Sequence, residues 1–136
     1  MTVLNLCDEI PASVPLSATA ADAIRQMLDL RVGAVAVVDD HGVVAGIFTE
    51  RDVLQKLALE ARDPATISIR DVMTVPVIMA TKETTAQEAL SVMVEEHHRH
   101  LPIVEEDGRL LGVLSIRNLL QDRIDDLTAQ LAVHHA

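Results

Sequence analysis

Residues 42–55 return 66 positions later as residues 108–121. Both glycines, Arg51/Arg117, Leu54/Leu120 and Gln55/Gln121 are identical, and most other changes are conservative, such as Ile47/Val113, Thr49/Ser115 and Asp52/Asn118. An internal repeat of this period makes the chain two copies of one small unit, so any site is expected in two versions. A unit of that size cannot cover both faces of its own sheet, and two units packed sheet to sheet can.

Each copy reads in the same order. In the first, Thr19-x-x-Asp22 has the form of a capping box. Ile24, Met27 and Leu28 follow at the spacing of a buried helical face, and Gly33 reads as a stop. Residues 34–38 and 43–48 are β-branched runs separated by Asp39-Asp40-His41-Gly42, a hairpin signal. A second helix is expected from Thr49, burying Val53, Leu54 and Leu57. In the second copy Thr85-x-x-Glu88 caps a helix expected to bury Leu90, Met93 and Val94. Residues 101–104 and 110–114 form the hairpin, and a closing helix runs from about Ser115 to Val133. Short extended pieces precede each unit at Val14-Pro15 and Pro76-Val77-Ile78. Asp63-Pro64 breaks the chain between copies, and Ser68-x-x-Asp71 caps one helical turn. The expected organisation is a first unit over residues 11–61, a connector over 62–73, a second unit over 74–124 and a helical extension over 125–136, in an α/β (α+β) class of two β-α-β-β-α repeats.

Composition bounds the function. Hydrophobic residues make up 49% of the chain, enough for a real core, but Phe48 is the sole aromatic. Without Trp or Tyr there is no stacking platform for single-stranded nucleic acid. A formal net charge of −10 opposes phosphate backbones and anionic membranes. Cys7 is the only cysteine, so no intrachain disulfide forms, and nothing marks it as a nucleophile. The first residues lack the pattern of a signal peptide and no apolar run is long enough for a membrane span, so a cytoplasmic protein is expected.

The strand-to-helix junction at Gly46-Ile47-Phe48-Thr49-Glu50-Arg51-Asp52 carries the chemistry. Free N–H groups at a helix start suit a phosphate, Thr49 adds a hydroxyl, and Asp52 could accept from both hydroxyls of a ribose. The same Thr-x-x-Asp is also an ordinary capping box that needs no ligand. Arg51 and Arg117 recur and can reach a phosphate or simply be exposed helix residues. Residues 95–100, Glu-Glu-His-His-Arg-His, hold metal-ligand types but fit no closed four-ligand site, so no metal is expected; His134 and His135 fall in the tail. No reacting-group geometry for an enzyme can be proposed. Leu120, Ile124, Leu127 and Leu131 form a near-heptad stripe longer than one unit needs, from which a homodimer is expected.

Two units that each end in Gly-hydrophobic-x-Thr-x-x-Asp, with Asp71-Val72-Met73-Thr74 before the second and Arg99-His100-Leu101-Pro102-Ile103-Val104 at its central strand, resemble a tandem pair of CBS (cystathionine β-synthase) domains. The resemblance implies a pseudo-twofold pair with two clefts for adenosine-containing ligands such as AMP, ADP, ATP, NAD or S-adenosylmethionine. It implies no obligatory cofactor, and regulation of a partner protein rather than catalysis. It brings Ile47, Thr49, Arg51, Asp52 and Val77, with His100 and Pro102, to ligand, Thr49 on phosphate and Asp52 on ribose. Ser115 and Asn118 are the second-unit counterparts. Asn118 offers one neutral carbonyl where a carboxylate is expected, so that cleft should bind more weakly. Gly33-Ala34-Val35-Ala36 replaces Arg99-His100-Leu101-Pro102, so basic contacts must come from the second unit. Asn118 and the missing basic segment equally suit an interaction module with vestigial clefts.

Overall fold

The computed structural model describes residues 2–8 and 10–135, with side chains described as far as Val133; the His134 and His135 side chains lie outside the described residues. Thr19 accepts from Asp22 N and the Asp22 carboxylate accepts from Thr19 N, so the capping box starts helix α1 (Ala20–Leu30) as the spacing requires. Its end is set by Arg31, in the left-handed conformation at φ 57°, two residues before Gly33. The chain then forms strands β2 (Ala34–Val38) and β3 (Val44–Thr49), after β1 (Ser13–Pro15). β1 runs parallel to β2 and β2 antiparallel to β3. Asp39 accepts from His41 N and Val43 N in the turn, and Gly42 supplies a φ of +81°.

Helix α2 (Glu50–Asp52) follows Thr49 directly and continues as a π-helical turn over Val53–Ala58. After the short helix α3 (Ile69–Val72) the second unit repeats the order with β4 (Ala80–Thr81), α4 (Ala86–Glu96), β5 (His100–Val104), β6 (Leu110–Ser115) and α5 (Ile116–His135). The extended piece expected at Pro76-Val77-Ile78 is displaced to Ala80–Thr81, where the backbone pairs with Ile103 and Val104. The sheets are β1-β2-β3 and β4-β5-β6.

The repeat is obeyed in detail. His97 ends α4 in the left-handed conformation at φ 58°, 66 residues after Arg31. Both central hairpins carry a register shift at the equivalent place, between Val37 and Val38 and between Ile103 and Val104. The two hairpin turns clasp each other through a reciprocal pair of bonds, Val44 N to Gly108 O at 3.1 Å and Leu110 N to Gly42 O at 3.0 Å. β2 also abuts β6, and the exchange of the two turn bonds under the repeat relates the units by a pseudo-twofold axis.

The helix faces differ from the hydropathy reading. Ala20, Ala23 and Met27 are buried in α1, and Ala89 and Met93 in α4. Leu28, Leu54, Leu90 and Val94 are exposed, at 71%, 66%, 37% and 60%. Alanine lets a helix backbone approach a small sheet closely, and the larger residues flanking that stripe are turned outward. Two separate cores result. Phe48, Val35 and Val37 anchor the first, completed by Ile67, Ile69 and Val72 from the connector. Leu101, Ile103 and Leu114 anchor the second, completed by Val3 from the N-terminal 3-10 turn (Val3–Leu6), which lies outside both units as the sequence divides them.

These two completing segments are equivalent. Thr19, at the start of α1, bridges to Ser68, and Thr85, at the start of α4, bridges to Thr2. Met73 packs on Gly46, where an added Cβ would stand 2.8 Å from its Cγ, and Cys7 packs on Gly112, where it would stand 3.0 Å from the cysteine Cβ. Burial, reinforced by the Asp8 carboxylate, pushes the Cys7 thiol up to about 11.

Candidate functional site

Two clefts flank the contact between the units, each against one strand-to-helix junction. Both junctions are fixed the same way: Glu50 N donates to Gly33 O at 3.1 Å and Ile116 N to Arg99 O at 2.8 Å, tying each helix start to the partner strand of its hairpin.

The first cleft has a volume of about 610 Å³. Ile47, Thr49, Arg51, Asp52 and His100, all expected site residues, line it together. Lys56, Thr74 and Arg99 join them, with Pro76 and Ile78 as apolar wall. Ser115 lines the other cleft, of about 800 Å³, whose walls include Ile24, Leu28, Val53 and Leu54. Three expected residues line neither. Pro102 is fully buried in β5, Val77 is half-buried between two residues that do line the first cleft, and the Asn118 carbonyl is turned back onto Ser115.

Asp52 is the only buried charged residue among those described, 5% exposed. Its Oδ2 accepts from Thr49 N at 3.0 Å and from the Thr49 hydroxyl at 3.2 Å, and Asp52 N donates to Thr49 Oγ1 at 3.3 Å. This is the capping box. Its Oδ1 accepts from the Thr74 hydroxyl at 2.9 Å and pairs with Lys56 Nζ at 3.0 Å. All four acceptor positions of the carboxylate are therefore in use. A ribose diol reaches Asp52 only when Thr74 or Lys56 yields. Lys56 Nζ also donates to Val72 O at 2.9 Å and lies 3.1 Å from Thr74 Oγ1, so one ammonium joins the helix to the end of the connector. Thr74 is held from the other side by reciprocal backbone bonds with Ile47, at 2.7 and 3.1 Å.

The second copy keeps only the cap. Asn118 Oδ1 accepts from Ser115 N at 2.9 Å and from the Ser115 hydroxyl at 2.7 Å, and Asn118 N donates to Ser115 Oγ at 3.1 Å. No counterpart of the Lys56 and Thr74 bonds exists among the described residues.

His100 is set close against Gly33, where an added Cβ would stand 3.1 Å from the ring, and it borders both clefts. Burial lowers its pKa; Glu50 opposes this and Arg99 adds to it, so the net effect favours the neutral imidazole. The side chains of residues 95–100 form no group of three metal-ligating types, nor does any other part of the described chain. Sequence reasoning missed Lys56 and Thr74. Lys56 stands four residues after Asp52, a spacing that by itself reads as an ordinary helix ion pair.

The CBS domain family matches the chain twice, over residues 5–59 and 69–124. The structure of a CBS-domain protein from Burkholderia ambifaria is 31% identical, covers 93% of this chain and 96% of its own, and superposes with a TM-score of 0.80. A CBS domain protein of Pyrobaculum aerophilum complexed with AMP is 23% identical, with a TM-score of 0.79 over 87% of this chain and 89% of its own. The CBS domain pair of protein MJ0100, in complex with 5′-methylthioadenosine and S-adenosylmethionine, is 19% identical, with a TM-score of 0.83 over 93% and 98%. The chain spans between 20 and 66% of the length of the curated relatives it matches. No helix among the described residues is long and apolar enough to cross a membrane.

Proposed function

Because the chain belongs to the CBS domain family, as a tandem pair, we propose that it is a regulatory module that binds an adenosine-containing ligand in the Asp52 cleft and passes that occupancy to a partner protein. One observation carries this reading. A space of about 610 Å³ brings together a carboxylate and hydroxyl at a helix start, the cations Lys56, Arg51 and Arg99, and the apolar side chains of Ile47, Pro76 and Ile78. That is the mix of surfaces a nucleoside with a charged substituent requires, in a pocket of ordinary ligand size. Regulation fits better than catalysis, because Asp52 is committed to structural bonds and the Ser115 hydroxyl opposite His100 is spent on the Asn118 cap. The cleft that Ser115 lines, whose neighbouring Asn118 offers one neutral acceptor already used by Ser115, is the weaker of the two.

Occupancy can change the molecule only by favouring one of two arrangements. The movable element is the connector over residues 62–73, whose end Lys56 holds, together with α5. Leu120, Ile124, Leu127 and Leu131 on α5 are 42–58% exposed, and we propose that a second copy covers them. Light scattering at tens of micromolar (about 10–100 μM) reads this directly, and a monomer mass removes the dimer.

Isothermal titration of nucleotide-stripped protein with AMP, ADP, ATP, NAD and S-adenosylmethionine tests the site. Saturable binding is expected for at least one, abolished in Asp52→Ala and largely retained in Asn118→Ala. The opposite ranking overturns the assignment. The saturated state of Asp52 favours a second reading, an interaction module whose clefts stay empty, and heatless titrations on a well-folded protein would establish that one.

A further inference from the structure

We infer that Lys56 makes the Asp52 cleft selective for adenosyl ligands whose 5′ substituent is an anion, over those that are neutral or cationic there. The inference rests on the reading of that cleft as a nucleoside site, and it concerns the ligand class.

Both oxygens of Asp52 are fully used. The two bonds from Thr49 are the cap on which the helix start depends, so the partners that can yield to a ribose diol are the Thr74 hydroxyl and the Lys56 ammonium. Displacing the hydroxyl exchanges one neutral donor for another. Displacing the ammonium leaves a cation without its charged acceptor, with the neutral Val72 and Met73 carbonyls and the Thr74 hydroxyl in reach. The Lys56 side chain is 35% exposed and lines the cleft, so the released charge faces the ligand. A phosphate on the same nucleoside replaces the lost carboxylate as a charged acceptor. A methylthio group does not, and a sulfonium adds a like charge.

The chain supplies its own comparison. The 66-residue offset puts Asp122 at the position of Lys56, Asp8 at that of Thr74 and Asn118 at that of Asp52. Cation and buried carboxylate occur together in one copy and are both absent from the other. This is expected of a pair in which each member makes the other tolerable, since a buried carboxylate beside two further acids would be strongly disfavoured. An Lys56–phosphate bond of the charge-assisted kind contributes about ten- to hundredfold in affinity.

AMP and 5′-methylthioadenosine differ only at the 5′ substituent, and their dissociation constants measured on the same protein isolate that contribution. The native chain is expected to prefer AMP by at least about tenfold. Lys56→Met and Lys56→Gln should bring the two ligands within about threefold of each other, with 5′-methylthioadenosine bound no more weakly than by the native chain; the glutamine variant keeps donors for Asp52 and the Val72 carbonyl and so preserves the local fold. Lys82→Met, which removes the same charge from the surface outside both clefts, should retain the preference. Equal affinities in the native chain overturn the inference and leave the nucleoside site standing. So does a preference for AMP that survives both Lys56 variants, or that falls as far in Lys82→Met. Binding of neither ligand, nor of S-adenosylmethionine, overturns the site reading and the inference with it.

Discussion

Replacing Asp52 by alanine and by asparagine separates its two structural roles. Asp52→Ala removes the carboxylate half of the capping box of α2, worth about 1 kcal/mol, while Thr49 Oγ1 still accepts from the backbone N–H of residue 52. It also strands Lys56. Orphaning one member of a fully buried pair costs about 3–5 kcal/mol, but the Lys56 side chain is 35% exposed and keeps Val72 O and Thr74 Oγ1 as acceptors. The loss on that side is therefore reduced to about 1–2 kcal/mol, the value of a hydrogen bond to a charged group. Asp52→Ala should then destabilise by about 2–3 kcal/mol. Asp52→Asn should cost only the second part, because Asn118 shows that a carboxamide supports the same cap, accepting from Ser115 N at 2.9 Å and from its hydroxyl at 2.7 Å. In the Asp52→Asn background Lys56→Met should cost about 1 kcal/mol less than in the native chain, since contacting groups couple on that scale. Urea unfolding of the four proteins with a common slope gives the cycle. Asparagine as damaging as alanine, or a coupling under about 0.3 kcal/mol, would refute the division into cap and ion pair.

Two further perturbations test the packing and the electrostatics. Gly46→Ala should destabilise by about 1–3 kcal/mol through overpacking on Met73. Adding Met73→Ala, which removes the Sδ and Cγ that the new methyl meets, should recover part of the loss, and thermal melts read both. Burial holds His100 below the ordinary imidazole value of 6.5. The unfolded chain therefore takes up the proton first, and stability is full above pH 6.5 and falls as pH drops through 6.5 toward the folded value. Urea midpoints between about pH 8 and about pH 5 should show this loss, and His100→Asn should remove its share of the slope.

The architecture was legible because the repeat is long and its punctuation survives in both copies. Thr19, Thr85, Gly42 and Gly108 act where a propensity argument puts them. The helix faces were misread for a physical reason. Hydropathy ranks Leu28, Leu90 and Val94 above Ala23 and Ala89, but a small sheet packed against a helix selects for size, and alanine wins the buried stripe. The strand expected at Pro76-Val77-Ile78 failed because β-branched composition says nothing about which residues find a partner, and the pairing falls at Ala80–Thr81. At the site, the Thr49–Asp52 junction was legible from its spacing. Its saturation was not, since two of the four bonds come from Lys56 in the π-helical turn and from Thr74 beyond the connector. A signal for the N-terminal segment did exist. Carried back to the first residues, the same offset aligns Val3 with Ile69, Leu6 with Val72 and Cys7 with Met73, which are the pairs that complete the two cores.

That interlacing has a consequence for how the molecule is made. Each core is closed by a segment that lies on the far side of a unit boundary: Val3 closes the core built around Leu101 and Ile103, and Ile69 with Val72 closes the one around Val35 and Phe48. During synthesis the segment around Val3 must wait, unsatisfied, until Leu101, Ile103 and Leu114 have emerged, while the first unit closes only after the connector has left the exit channel. A cut made at the apparent border between the copies would yield two fragments that each carry the other's missing stave, and neither would be a free-standing domain. The smallest object this sequence can build is the pair.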